Sequence, residues 1–269
     1  MGLILNRATA RRLVLGAFAG EQVAQWTTLY DAVARLAVKE SLAPPGFRLE
    51  GGSDSDRGTV IEVTWELMVE GVVCPTDPSS NYAFIGLTEY GWRMVGYTDP
   101  TPHDPDGYLA ALRVRVQTID AVTLVYVEEA VASHRARNFI AATVMAGVAV
   151  EHALVGLADA MLVWLRPSES ANLKKIMDGQ RQAAHLFEDI RKRLDTRKGG
   201  MPQEIGAHYE VSVLGIGTIL RIARNSAGHP SGVRFDRDES AQFLMMLPRY
   251  LEHAAKLADW MSAEPAGSG

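Results

Sequence analysis

One segment, residues 139–165, is apolar around almost its entire circumference when it is drawn as a helix. It is long enough to cross a membrane, but Glu151, His152 and Asp159 lie in its middle, where a bilayer would penalise them. Outside a membrane such a helix has to be enclosed by other helices, because it has no polar face to offer to water. The segment therefore predicts a helical bundle with this helix at its centre.

Other helices are predicted around this segment from apolar residues that recur at helical spacing. They lie at about residues 120–133, 169–197, 202–228 and 238–261. Pro248 should kink the last of them. These helices and the central segment form a predicted domain at residues 118–262, and residues 263–269 are expected to be a disordered tail.

The first 117 residues mix helices with strands. Helices are expected at about residues 22–40 and 57–70, and strand-like runs at 72–75 and 82–87 flank a polar turn. A short helix should follow from Thr88, whose hydroxyl suits an N-cap. Helices followed by a two-stranded hairpin are the outline of a winged helix.

Charge and cysteine content narrow the function classes. The net charge of -5 contains no polybasic signature, so nonspecific DNA binding is disfavoured and any nucleic-acid contact must use a local patch. Cys74 is the only cysteine, which excludes an intrachain disulfide and a cysteine zinc cluster and indicates a cytoplasmic protein. Residues 7–19 superficially imitate a signal peptide, but the apolar run is short and leads into an amphipathic segment.

Residues 222–230 place Arg224, Asn225 and His229 at the end of a predicted helix. Arginine stays charged and presents a planar fork that binds phosphate oxygens. An unperturbed histidine titrates at about pH 6.5 and can transfer protons near neutral pH. With a ribose 2′-hydroxyl as the nucleophile, these groups can cleave RNA without a metal ion, whereas DNA lacks that hydroxyl. An alternative interpretation is that the two cations only cap the helix carbonyls.

The helix is expected to end inside this stretch. Pro230 disfavours the α conformation at His229, and Gly228 can adopt the left-handed conformation of a helix cap. In an unbroken helix Arg224 and His229 would lie about 140° apart, so a left-handed Gly228 is expected to bring the histidine back toward the guanidinium. The core-facing residues of this helix are predicted to be Val211, Leu214, Thr218 and Ile222.

The Arg-Asn-Ser-Ala-Gly-His sequence of residues 224–229 is similar to the Arg-polar-x-x-x-His signature of the HEPN superfamily, helical-bundle proteins many of which are metal-independent ribonucleases. Residues 141–151 resemble the long bundle helix of bacterial HEPN proteins, with Glu151 facing the motif helix. The resemblance implies a homodimer whose motif helices meet, so that two Arg/His sets line one positive cleft. One departure is Ser231, since HEPN toxins silenced by adenylylation have a tyrosine at that place.

Residues 65–75 and 87–91 also resemble the winged domain that precedes some HEPN domains. Duplex DNA binding is the obvious function of such a domain, but the helix that would enter the groove carries Glu62, Glu66 and Glu70. A packing or dimerisation role is the alternative, and duplex DNA is not an expected partner.

The resemblance assigns roles to the motif residues. Arg224 would contact the scissile phosphate, His229 would transfer protons, and Asn225 would position phosphate or cap the helix. Glu151 would either orient Arg224 from across the bundle or serve as a structural carboxylate. The other arginines expected to contact RNA, unless they are ordinary surface charge, are Arg221, Arg234 and Arg237.

Three further patterns have both a functional and a structural interpretation. Lysines and arginines concentrated at residues 174–198 form either an RNA-tracking surface or a solvated face paired with Glu188 and Asp189. The His103, Asp104 and Asp106 group is a turn rather than a metal site, so neither a metal ion nor a cofactor is expected.

The third pattern is Gly215 and Gly217, which lie in mid-helix and lack the third glycine of a dinucleotide loop. Close helix packing is their expected use.

The sequence thus predicts a mainly α protein with a winged-helix-like α+β domain ahead of a HEPN-like antiparallel bundle. The expected function is cytoplasmic, metal-independent RNA cleavage by a homodimer, in a toxin or antiphage defence role, with no membrane partner. A restraining antitoxin or regulatory protein is conceivable but not identified by any residue. The alternatives are a non-catalytic HEPN assembly or RNA-binding module, and a winged-helix transcription regulator.

Overall fold

The computed structural model describes residues 5–21, 23–49, 56–77, 79, 81–95, 102, 104–179, 183–230 and 232–263. Within these ranges the chain is mainly helical, as predicted, and the described sheet has two strands. The chain divides into two compact units, Met1–Tyr108 and Leu109–Gly269.

The division falls inside helix α5, Pro105–Arg115, and so precedes the boundary expected at residue 117. The end of α5 joins the second unit through charge. Arg113 Nη2 lies 2.8 Å from Glu128 Oε1, and Arg115 Nε lies 3.5 Å from Glu252 Oε2. The partners in each pair are separated in sequence, so the turn residues ahead of α5, from which the boundary was predicted, could not show that α5 packs with the second unit.

The first unit is a small helical core with a hairpin. Its elements are α1 (Arg7–Gly20), α2 (Trp26–Lys39), α3 (Asp56–Val69), β1 (Val73–Pro75), β2 (Ile85–Leu87) and α4 (Glu89–Val95). Helix α1 packs against both α2 and α3 and buries Leu13, Val14, Ala17 and Phe18. The apolar run that imitates a signal peptide is therefore part of a packed helix.

The predicted hairpin and the following cap are confirmed. Strands β1 and β2 are antiparallel, with Cys74 opposite Gly86. An isolated antiparallel bridge between Gln25 and Phe84 adds the residues ahead of α2 to the same hairpin. The hydroxyl of Thr88 accepts the Gly91 N–H at 2.9 Å, which satisfies a free donor at the start of α4.

Of the three glutamates that the sequence places on one acidic side of α3, Glu62 is exposed, Glu66 is partly buried and Glu70 is buried. Arg7 of α1 lies 2.7 Å from Glu62 and also pairs with Glu66. Arg11 pairs with Glu70 inside the unit, where both side chains are about 95 % buried. Ion pairs from all three glutamates thus link α3 to α1, and the buried Glu70 carboxylate in particular needs its matching cation.

The second unit is the predicted bundle. Its helices are α6 (Ala121–Arg135), α7 (Phe139–Trp164), α8 (Pro167–Asp178), α9 (Ala183–Asp195), α10 (Gln203–His208), α11 (Gly217–Gly228) and α12 (Arg237–Ala263), and a π-helical stretch, Tyr209–Ile216, joins α10 to α11. Pro248 lies buried within α12. Of the predicted tail, Ala263 still belongs to α12, and residues 264–269 are outside the described residues.

Helix α7 occupies the centre, where it packs against α6, α11 and α12. Among the described residues it alone has the length and composition of a membrane-crossing helix, a property that the core helix of a folded bundle shares. Its buried residues include Ala142, Ala146, Val150 and Leu157. The small residues let neighbouring helices approach closely.

The predicted helix at 169–197 is two helices, α8 and α9. Four of the basic residues at 174–198 are ion-paired: Arg191 with Glu188 at 2.7 Å, Arg193 with Asp189 at 2.5 Å, Arg197 with Glu169 at 2.6 Å, and Lys198 with Glu210. Lys174, Lys175 and Lys192 are exposed. The ion-paired interpretation therefore describes the arginines of this face, and the exposed lysines fit either interpretation.

Candidate active site

The helix that carries the motif changes its pitch before the motif begins. Buried residues of this helix are Tyr209, Ser212, Val213, Gly217, Leu220 and Ala223. The predicted core face is wrong at its two ends, since Val211 is 59 % and Ile222 is 58 % exposed. A π-helical turn contains an additional residue, so the 3.6-residue period cannot be extended across Tyr209–Ile216.

Gly217 marks the return to α-helical pitch. A Cβ atom at this position would lie 2.8 Å from Tyr250 Cε2 of α12, which explains why a glycine stands in mid-helix. The expectation of close packing is thus confirmed for Gly217. At Gly215 the nearest atom to such a Cβ would be the carbonyl oxygen of Glu210, on the same helix at 3.6 Å.

The motif helix ends where Pro230 predicts it. His229 is extended, with φ −100° and ψ 147°, and its N–H donates to the Asn225 carbonyl at 3.2 Å. The expectation of a left-handed Gly228 is wrong, because Gly228 remains in α11 and the nearby glycine with positive φ is Gly232, at 75°. The proline alone is sufficient to stop the helix, since it excludes the α conformation at the residue before it.

Arg224 is held between α11 and the central helix. A Cβ atom on Gly147 would collide with Arg224 Cβ and lie 2.5 Å from Arg224 Cγ, so the arginine stem rests directly on the backbone of α7. Glu151, one turn further along α7, faces the guanidinium as predicted. Gly147 was not among the predicted site residues, although its spacing of four from Glu151 places both on one face of a helix.

The contact between Arg224 and Glu151 is close but poorly directed. Arg224 Nε lies 3.3 Å from Glu151 Oε1, yet this buried Nε has no hydrogen-bond acceptor. The attraction is therefore mainly coulombic, and the N–H remains unsatisfied. The guanidinium donates from Nη1 to Asn225 Oδ1, at 3.2 Å.

Asn225 accepts one hydrogen bond from the Arg224 side chain through Oδ1 and another from the main-chain N–H of His229 through its carbonyl. The second bond belongs to the helix and does not involve the imidazole. The arginine side chain is 35 % exposed, and His229 is exposed. The site thus presents a fixed cation and a histidine at one end of the bundle. Ser231, the departure from adenylylated toxins, lies outside the described residues.

Arg221 lies one turn before Arg224 and has a different environment. Its guanidinium carbon is 4.5 Å from the centre of the Phe187 ring of α9, a cation–π arrangement. Its Nε is buried without an acceptor. Burial raises the pKa of the neighbouring Tyr250 phenol, and the positive charge of Arg221 opposes that rise.

The other two predicted RNA contacts lie beyond the end of α11. Arg234 is exposed in the segment that leads to α12. Arg237 begins α12 and lies near His134, where burial and, to a lesser extent, the Arg237 charge lower the pKa of that imidazole to about 4. Neither position identifies a phosphate contact by itself.

A cavity elsewhere in the bundle was not predicted. It has a volume of about 480 Å³ and lies between α7 and α12. The charged or titratable residues that line it are Asp120, His152, Asp159 and Asp259. His152 Nδ1 lies 3.3 Å from Asp120 Oδ1 and 3.0 Å from Thr123 Oγ1, so this histidine is satisfied structurally. An acidic lining would repel phosphate, which leaves the motif as the better candidate for RNA chemistry.

The described residues contain no group of three or more histidine, cysteine, aspartate or glutamate side chains placed to hold a metal ion. His103, one of the three residues considered for a metal, is outside the described residues. Asp104 Oδ1 accepts the Gly107 N–H at 3.2 Å, as in a turn at the start of α5.

Comparison with known proteins finds no match for this chain among protein-family models, curated proteins or solved structures.

Proposed function

We propose that the chain is a HEPN-type, metal-independent endoribonuclease whose reaction centre lies at the end of α11. The observation that carries the proposal is the placement of Arg224. Its stem rests on Gly147, its Nη1 bonds Asn225, and its side chain is nevertheless 35 % exposed, while His229 is exposed at the end of the same helix. A cation that is held in position yet open to solvent is suited to bind a phosphate group.

The reaction needs only groups that RNA and these side chains supply. His229 would remove the proton from the ribose 2′-hydroxyl, and the resulting oxygen would attack the adjacent phosphorus. Arg224 would stabilise the charge of the phosphorane, with Asn225 holding its guanidinium. The 5′-oxygen would leave with a proton from an imidazolium, giving a 2′,3′-cyclic phosphate and a 5′-hydroxyl.

The reaction uses one imidazole as a base and one imidazolium as an acid, and a homodimer would provide both histidines. Val211, Ile219 and Ile222 are 59 %, 46 % and 58 % exposed and form an apolar stripe that leads to the motif. A second copy of the same helix would cover this stripe and bring its own Arg224 and His229 alongside. The partner's His229 could then protonate the leaving oxygen.

Cleavage of total RNA in the presence of EDTA tests the proposal. The wild-type protein should produce cyclic-phosphate ends, and the Arg224→Ala/His229→Ala variant should be slower by at least about a hundredfold. Arg249→Ala, which removes an exposed arginine of α12, is the matched control and should retain activity. Absent cleavage, or equal cleavage by the double variant, would remove the enzyme claim, and mass analysis at low concentration checks the dimer.

A second candidate function belongs to the first unit. Its elements follow the order of a winged helix: α1, the bridged residue Gln25, α2, α3 and then the hairpin of β1 and β2. This order supports the resemblance to a winged-helix domain. Charge argues against duplex DNA, because the exposed residues of α3 are Glu62, Trp65 and Val69. Tight duplex binding that survives the double substitution would favour a transcription regulator, whereas RNA binding without cleavage would favour a non-catalytic module.

A further inference from the structure

The two arginines of α11 differ in how their charges are balanced. Arg224 has a carboxylate, Glu151, within 3.3 Å and an amide oxygen, Asn225 Oδ1, within 3.2 Å. Arg221 has no carboxylate within ion-pair distance among the described residues. The Nε atoms of both arginines are buried without an acceptor, so the missing carboxylate is what distinguishes Arg221. Arg221 is therefore the cation of this helix with more to gain from an anion.

Arg221 is also held in place. Its guanidinium stacks on Phe187 at 4.5 Å, and Phe187 is itself buried and lies 3.6 Å from the position of a Cβ atom on Gly217. An aromatic face fixes the plane of a guanidinium but accepts none of its N–H groups in the plane. The stack thus orients the half-buried arginine without occupying its in-plane donors. Since the Nε is buried, a phosphate would bind the Nη groups.

The two guanidiniums diverge from one helix. Their Cβ atoms are about 5–6 Å apart, as for any residues three apart in a helix. Arg221 extends toward α9 and Arg224 toward α7. Side chains that diverge in this way suit two phosphates of one strand better than two oxygens of a single phosphate.

We infer that Arg221 binds a second, non-scissile phosphate of the RNA strand, adjacent to the phosphate at Arg224. This inference rests on the proposed function for its substrate. It makes the preferred substrate a strand that extends beyond the scissile bond, since a dinucleotide has no second phosphate for Arg221. Arg221 is then a positioning residue that aligns the strand with the reaction centre.

Binding to a strand that cannot be cleaved tests Arg221 independently of catalysis. The probe is a fluorescently labelled, fully 2′-O-methylated oligoribonucleotide, whose affinity is measured at several salt concentrations. Arg221→Gln should weaken binding about tenfold and lower the slope of log affinity against log salt by about 0.7 to 1. Arg221→Met keeps an apolar stem on Phe187 and should give the same loss, while Arg249→Gln should leave the slope unchanged. Equal slopes for wild type and both Arg221 variants would overturn the inference.

A chimeric strand then locates the contact. It is 2′-O-methylated except for one ribose, which fixes the scissile phosphate, and carries a neutral methylphosphonate at one neighbouring linkage. On one side of the scissile bond this change should lower wild-type kcat/KM about tenfold and have little further effect on Arg221→Gln. Undiminished sensitivity of Arg221→Gln at both linkages would contradict the assignment. If the wild type cleaves nothing while the salt slope still depends on Arg221, the proposed function fails and the phosphate site remains.

Discussion

Arg11 in the first unit and Arg224 in the second both pair with a glutamate across two helices, but the two pairs are built differently. Arg11 and Glu70 are about 95 % buried, and Arg11 Nη1 donates to Glu70 Oε1 at 3.1 Å while Nη2 bonds the second oxygen. Arg224 is 35 % exposed, and its Nε faces Glu151 without a hydrogen bond. Both Nη groups of Arg11 are occupied by an enclosed carboxylate, although its Nε, like that of Arg224, is buried without an acceptor. The difference is that the Arg224 side chain is partly open to solvent.

This difference suggests how to tell a structural arginine from a functional one. A bidentate, enclosed pair has no capacity left for a ligand, because both carboxylate oxygens and the guanidinium fork are occupied. A loosely paired arginine can exchange its carboxylate for a phosphate at little cost. Arg224 is of the second kind, whereas Arg221 has no carboxylate to exchange among the described residues.

The largest effect is expected from breaking the buried pair. Arg11→Ala should destabilise the first unit by about 3–5 kcal/mol, because it leaves the Glu70 carboxylate enclosed without a counter-charge. Urea unfolding measures the loss. Arg7→Ala, at the exposed pair with Glu62, should cost less than about 1 kcal/mol, and Arg11→Met/Glu70→Met should recover most of the loss. If Arg11→Ala and Arg7→Ala cost the same, the contrast between buried and open pairs is wrong.

The second largest effect is a difference between the two units in how their stability depends on pH. All histidines among the described residues lie in the second unit, and burial lowers the pKa of His134 to about 4. The unfolded chain takes up this proton near pH 6.5 and the folded unit does not, so stability should fall by about 3 kcal/mol as pH drops from about 6.5 to 4. His253, whose pKa is also lowered to about 4 by burial, acts in the same direction.

Thermal or urea unfolding across this range measures the slope for each unit. His134→Gln should flatten the dependence of the second unit, because glutamine has no proton to gain. An unchanged slope in this variant would mean that His134 is not neutral in the folded protein.

The smallest effect is expected from a substitution that changes how the Arg224 side chain packs against α7. Gly147→Ala should force α11 away from α7, since the new methyl group would meet Arg224 Cβ and Cγ. Overpacking is offset in part by the better helix propensity of alanine, so the net loss should be about 1–2 kcal/mol, with a decrease in RNA cleavage. Gly156→Ala is the matched control on the same helix, because its Cβ would have no atom within 4 Å, and it should stabilise the protein slightly. Identical behaviour of the two variants would show that Gly147 does not position Arg224.

Much of the architecture was predictable because its signals are local. The apolar segment around Glu151 required a central helix, Pro230 stopped the motif helix, and Thr88 capped α4. The pairing of Arg191 with Glu188 and of Arg193 with Asp189 follows from spacings of three and four residues. Each of these features depends on residues within one continuous segment, and most of them on residues within about one helical turn of each other.

The residues Arg224, Asn225 and His229, and the chemistry available to them, were determined by the sequence alone. Tertiary structure decided which face of the motif helix is buried, because the π-helical stretch shifts the residues that meet α7 and α12. It also decided that the glutamates of α3 fasten it to α1, and that Arg221 stacks on Phe187 with its charge unbalanced. Those contacts join residues that are distant in the chain, and they form only when separate helices pack together, so no pattern within a single segment encodes them.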